Sequence, residues 1–78
     1  MFLEQIEKNR IEAFEHLVEI KKQDKKTIAV SGNEFSYKTK RGLVKKYISF
    51  KSWSDFVNSD LYENKFERVN GFIFVQIS

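Results

Sequence analysis

Apolar and polar side chains alternate along residues 26–50, around glycine turns at Gly32-Asn33 and Arg41-Gly42. A period of two marks strands and each turn suits a tight hairpin, so this stretch predicts a three-stranded antiparallel meander. A two-residue loop at Gly32-Asn33 sets Ser31 opposite Glu34, Val30 opposite Phe35 and Ile28 opposite Tyr37. Treating Arg41-Gly42 in the same way sets Thr39 opposite Val44, Phe35 opposite Ile48, and Lys38 opposite Lys45. Successive strand residues point to opposite faces. The meander therefore acquires a buried face of Ile28, Val30, Phe35, Tyr37, Val44, Ile48 and Phe50, and an outward face of Lys38, Lys40, Lys45 and Tyr47.

Before the meander the period changes. Leu3, Ile6, Ala13, Phe14, Leu17 and Val18 recur at three and four, with Phe2, Ile11 and Ile20 widening the stripe, which predicts an amphipathic helix over residues 2–22. Glu4 and Glu7 near its start and Lys21 and Lys22 near its end match the helix dipole. Arg10 falls inside the apolar arc, between Ile6 and Phe14. Its stem is expected to pack while its head leaves at the sheet edge, pairs with Glu7 or stacks on an aromatic ring; a partner contact is the sharper alternative.

After the meander, Ser52 and Asp55 have the spacing of a capping box, and Trp53, Phe56, Val57 and Leu61 follow at helical spacing, predicting a short helix over residues 53–62. Asn70-Gly71 then divides two apolar runs and predicts a second hairpin over 65–77, pairing Val69 with Phe72 and Phe66 with Val75. The last run, Phe72 to Ile77, is apolar on both faces, as a central strand is, and is expected beside the first strand. The fold class is α+β: one domain over residues 1–78, with a long amphipathic helix packed on a mainly antiparallel five-stranded sheet, in the order α-β-β-β-α-β-β.

Composition bears on how such a short chain holds together. On folding, 78 residues remove only about 60 to 65% of their unfolded surface from water. Eight Phe, three Tyr and one Trp supply the bulk that length does not. Without cysteine there are no disulfides and no thiolate metal sites, which fits a reducing compartment. The opening Met-Phe-Leu-Glu offers no apolar leader and the longest unbroken apolar run is Phe72 to Val75, so the expectation is a cytoplasmic protein with no membrane partner.

Net charge is +3, unevenly spread. Residues 1–19 hold five acids and two bases, residues 20–51 ten bases and two acids, and residues 52–78 two bases and four acids. A basic middle between acidic flanks is a patch, and patches steer anionic partners. Lysines opposed on a sheet repel each other, so Lys38 facing Lys45 points the same way.

Chemistry-bearing residues are few. His16, the one histidine, lies on the polar helix face among Glu12, Glu15 and Glu19, where nothing holds it as a base. Asp55 is taken up by capping, Glu67 lies on a strand, and Asp60 and Glu63 sit beside turns. All three glycines serve turns, leaving no phosphate-cradling loop, and no calcium, Walker or dinucleotide motif occurs. The chain therefore reads as a non-enzyme with no metal and no cofactor.

The order α-β-β-β-α through the second helix is similar to a double-stranded-RNA-binding domain. That family opens its second helix with a phosphate-gripping lysine cluster, whereas this chain has Ser52-Trp53-Ser54-Asp55 and then a further hairpin, so no family is assigned.

The expected function is a small binding module that takes nucleic acid through a basic sheet face. Its expected contacts are Lys38, Lys40, Arg41, Lys45 and Tyr47, assisted by Lys25, Lys26 and Lys51. A cysteine-free, Lys-, Asn- and Phe-rich domain without an active site is also typical of phage- or mobile-element-encoded proteins. The alternative is thus a protein–protein interaction or inhibitor module that blocks a host complex, itself a nucleoprotein in one version. It would work through a sheet edge, the acidic helix face (Glu4, Glu12, Glu15, Glu19), or exposed apolar groups such as Phe74 or Tyr62.

Overall fold

A computed structural model describes residues 2–78, with side chains from residue 5 onward; Phe2 and Leu3 of the predicted stripe, and Glu4 of the acidic helix face, thus lie outside the described side chains. The first helix, α1, spans Phe2–Ile20. It ends two residues before the predicted boundary because the chain turns left-handed at Lys22 (φ 58°). There the Lys22 N–H donates to Glu19 O and the Gln23 N–H to Val18 O, the paired bonds of a Schellman cap. A single 3₁₀ turn, Lys25–Thr27, capped by the Asp24 carboxylate, leads into the sheet.

The strands are β1 (Ala29–Ser31), β2 (Glu34–Lys38), β3 (Val44–Phe50), β4 (Phe66–Val69) and β5 (Phe72–Gln76), with the second helix, α2 (Trp53–Val57), between β3 and β4. All pairings are antiparallel and the spatial order is β1-β2-β3-β5-β4. The β5 strand is central as expected, but its neighbour is β3 and not β1. Length decides this: β1 offers three residues of ladder and β3 seven. The predicted helix over 53–62 stops at Val57, because the Ser59 hydroxyl bonds Phe56 O (2.6 Å) and accepts from Leu61 N–H (3.2 Å), and so draws the backbone out of the helical ladder.

Two of the three hairpins have the predicted register. Val30 faces Phe35 across Gly32-Asn33, and Val69 faces Phe72 across Asn70-Gly71. The β2–β3 hairpin is shifted by one residue: Lys38 faces Val44, Tyr37 faces Lys45, and Phe35 faces Tyr47. A two-residue primed turn at Arg41-Gly42 would need a positive φ at the arginine. Instead the loop has three residues, Lys40-Arg41-Gly42, closed by Thr39 and Leu43, with Gly42 alone left-handed (φ 86°). Gly42 N–H donates to Thr39 O and Leu43 N–H to Thr39 Oγ1.

That shift exchanges the faces of β3. Tyr47 and Ser49 now join Phe35, Tyr37 and Phe74 under α1, where Phe14 lies 5.1 Å from Phe35, 5.5 Å from Tyr47 and 5.5 Å from Phe74, centroid to centroid. Ile48 and Phe50, expected on that face, lie on the other one, where Phe56 of α2 packs with Ile73 and Val75. Val30 and Val44, also expected to be buried, are exposed. Burial on both sides of β5 explains why its sequence is apolar throughout. The α1 helix reaches from the β1–β2 turn, where Arg10 bonds Asn33 Oδ1 (2.6 Å), to β4, where Lys21 pairs with Glu67 (2.5 Å). Arg10 is buried, with its head on Glu7 and 5.8 Å above the Phe35 ring, as its place in the apolar arc required. Among the described residues, no helix is long and apolar enough to cross a membrane.

Candidate nucleic-acid interface

The free end of the β2–β3 hairpin gathers most of the cations singled out in the sequence. Thr27 ties the 3₁₀ turn to it: its hydroxyl donates to Lys38 O (3.1 Å) and accepts from Lys38 N–H (3.0 Å). Lys26 is therefore a neighbour of the hairpin end, and Lys40 and Arg41 form its tip. All four side chains, Lys26, Lys38, Lys40 and Arg41, are exposed.

Register sorts the remaining lysines. Lys38 shares the α2 face of the sheet with Lys46, which pairs with Ser36 and then across to Ala29. Lys38 and Lys46 are diagonal neighbours, roughly 7–8 Å apart at their roots. Around them this face carries the small or exposed residues Ala29, Ser36 and Val44, since α2 packs on the β5 side. Lys45 points to the opposite, α1 face, beside Tyr37. Among the described residues no two lysines are directly opposed, so the sheet carries none of the like-charge repulsion expected from Lys38 facing Lys45.

Three other expected contacts fall differently. Tyr47 is 1% exposed and cannot stack on a base. Burial first, and the neighbouring Tyr37 phenol second, push its hydroxyl well above the ordinary tyrosine range. Lys51 follows Phe50 at the far end of β3, roughly 23 Å of strand from Val44 by the usual rise per residue. Lys25 sits at the basic end but is engaged by Glu19 at 2.5 Å; that pairing raises the lysine and lowers the glutamate, principally through their hydrogen bond. Among the described residues, no ion pair takes Lys26, Lys38, Lys40, Arg41, Lys45 or Lys46.

Lys46 was missed by sequence reasoning because the assumed loop was one residue too short, which exchanged it with Lys45. The signal was present: arginine is a poor occupant of a left-handed turn position, whereas Lys40-Arg41-Gly42 fits a type I turn followed by a left-handed glycine.

Phe74, expected as an exposed contact, is fully buried under Phe14, while Tyr62 is half exposed. His16 is exposed on α1. Among the described residues, no three His, Cys, Asp or Glu side chains gather where a metal ion could be held. Searches against protein-family models, curated protein sequences and solved structures find no match to this chain.

Proposed function

We propose that this domain binds a nucleic-acid backbone through the cationic end of its sheet. The observation that carries the reading is that Lys26, Lys38, Lys40, Arg41 and Lys46, drawn from the 3₁₀ turn, β2, the β2–β3 loop and β3, meet at one end of the sheet without ion-pair partners among the described residues. Flexible ammonium groups with one guanidinium suit phosphate oxygens. With Tyr47 under the helix, contact is to the backbone and carries little sequence preference.

Titration of labelled duplex and single-stranded oligonucleotides by fluorescence anisotropy tests this. Phosphate contacts release counterions, so five of them give a log–log slope of affinity against salt of roughly −3 to −5. The double variant K38E/K46E should lower affinity at least tenfold and flatten the slope by about two. Absence of binding at low salt, or a slope unchanged by the double variant, refutes the reading. A protein partner retained after nuclease treatment supports the interaction-module alternative instead.

A further inference from the structure

The α2 face of the sheet carries both unpaired cations and exposed rings. On it β2 and β3 place Lys38 and Lys46, and β4 places Phe66 and Arg68. Phe66 pairs with Val75 and Val75 with Ile48, two residues beyond Lys46 on the same face. Two strand spacings across and two residues along set Lys46 and Phe66 roughly 12 Å apart at their roots. Among the strand residues of this face the bases are Lys38, Lys46 and Arg68, and the one acid is Glu34. Among the described residues, no ion pair takes those three bases. The rings gather around Phe56 of α2, which is fully buried and lies 4.9 Å from Phe66, 5.4 Å from Trp53 and 6.1 Å from Tyr62, centroid to centroid. Trp53 and Phe66 also meet each other at 5.4 Å. They nevertheless stay open to solvent: Trp53 is 45% exposed, Phe66 40% and Tyr62 50%. Arg68 lies 5.8 Å over the Trp53 ring, so a positive charge stands at the cluster itself.

We propose that Trp53 and Phe66 stack on unpaired bases of a single-stranded nucleic acid whose phosphates run past Lys46 and Lys38. This rests on the backbone contact proposed above and narrows its ligand to a single strand. A duplex keeps its bases paired and stacked on one another, so it offers these rings nothing. Charge favours this occupant over an apolar protein surface. An apolar partner spanning the rings and the lysines would bury Arg68, Lys46 and Lys38 without counter-charges, whereas a strand brings each a phosphate. Rings already fixed on one side by Phe56 lose little freedom when a base settles on the other. Stacking tolerates any sequence, because every base has a flat face, and this agrees with a contact of little sequence preference.

The test compares three probes of about 12 nucleotides: a single strand, its duplex, and an abasic strand with the same phosphates and no bases. Trp53 is the one tryptophan of the chain, so its fluorescence reports on the rings directly and needs no variant. The single strand should quench it, and the duplex and the abasic strand should not. The abasic strand should also bind at least about fivefold more weakly than the intact one. Phe66→Leu keeps an apolar side chain against Phe56 and removes the flat ring; circular dichroism checks that it is folded. It should lower single-strand affinity at least about fivefold with an unchanged salt slope, and should leave duplex affinity within about a factor of two, whereas K38E/K46E weakens both probes. If the intact and abasic strands bind alike and Trp53 is not quenched, the stacking proposal is overturned while the backbone contact stands. If no probe binds at low salt, the backbone contact fails and the stacking falls with it. A protein partner that survives nuclease and is lost in Phe66→Leu, with oligonucleotide binding unchanged, assigns the rings to protein and overturns the proposal as well.

Discussion

The Tyr47 hydroxyl lies beneath α1 with Gln76 Oε1 as its hydrogen-bond acceptor, at a long 3.5 Å. Burial holds the phenol neutral well beyond the ordinary range, and this ties stability to alkaline pH. In the unfolded chain the phenol loses its proton near pH 10 while in the folded protein it keeps it. The contribution is therefore fully present below about pH 10 and declines above it, by about 1.4 kcal/mol per pH unit, until the folded group titrates. Tyr47→Phe should unfold at nearly the parental denaturant midpoint at pH 7, since the bond it deletes is long, and should resist alkali better than the parent above pH 10. Urea titrations of both proteins at pH 7 and pH 11 measure the difference, and parallel declines would refute it. Arg10 shows the complementary case of a charge that is buried but served: Glu7 and Asn33 take its terminal nitrogens, Phe35 its flat face, and only its Nε lacks a partner. Its position in the apolar arc was legible in the sequence. So were Glu7 and an aromatic face as partners of its head, whereas Asn33 was not, because it is brought there only by the fold.

Where turn chemistry is unambiguous, the elements could be read in advance. Gly32-Asn33 and Asn70-Gly71 each demand a two-residue loop, and Ser31 against Glu34, Val30 against Phe35, Val69 against Phe72 and Phe66 against Val75 were placed correctly across them; Ile28, expected against Tyr37, instead ends the 3₁₀ turn before β1 begins. Arg41-Gly42 admits loops of two or three residues, and the choice moved a whole strand face: Tyr47 inward, Lys46 outward. The neighbour of β5 was likewise not legible, because an apolar strand announces that it is central without announcing beside what. Two left-handed positions at element ends give a paired prediction of opposite sign. Lys22, at the cap of α1, holds φ 58° as a lysine, while Gly42 holds φ 86° with no neighbour closer than 3.9 Å to a built Cβ. Lys22→Gly should therefore stabilise the fold by about 1 kcal/mol, and Gly42→Ala should destabilise it by about 1–2 kcal/mol through backbone strain alone. Thermal melts settle the signs; in a domain of this size each kcal/mol moves the midpoint by roughly 4–8 °C.

At the scale of the molecule, the sheet sets the proposed contacts at one end and mostly on one face. The cations belong to the 3₁₀ turn, β2 and β3, and β4 lies two strands beyond β3. Lys45 and Lys46 are neighbours in the chain, yet Lys45 pairs with Tyr37 on the α1 face and Lys46 with Ser36 on the other. Changing either lysine to glutamate alters the net charge equally, so a difference between K45E and K46E reports position and not bulk charge. K46E should weaken oligonucleotide binding severalfold more than K45E in the same anisotropy titration. Equal losses from the two variants would show that the face of the sheet plays no part in the contact.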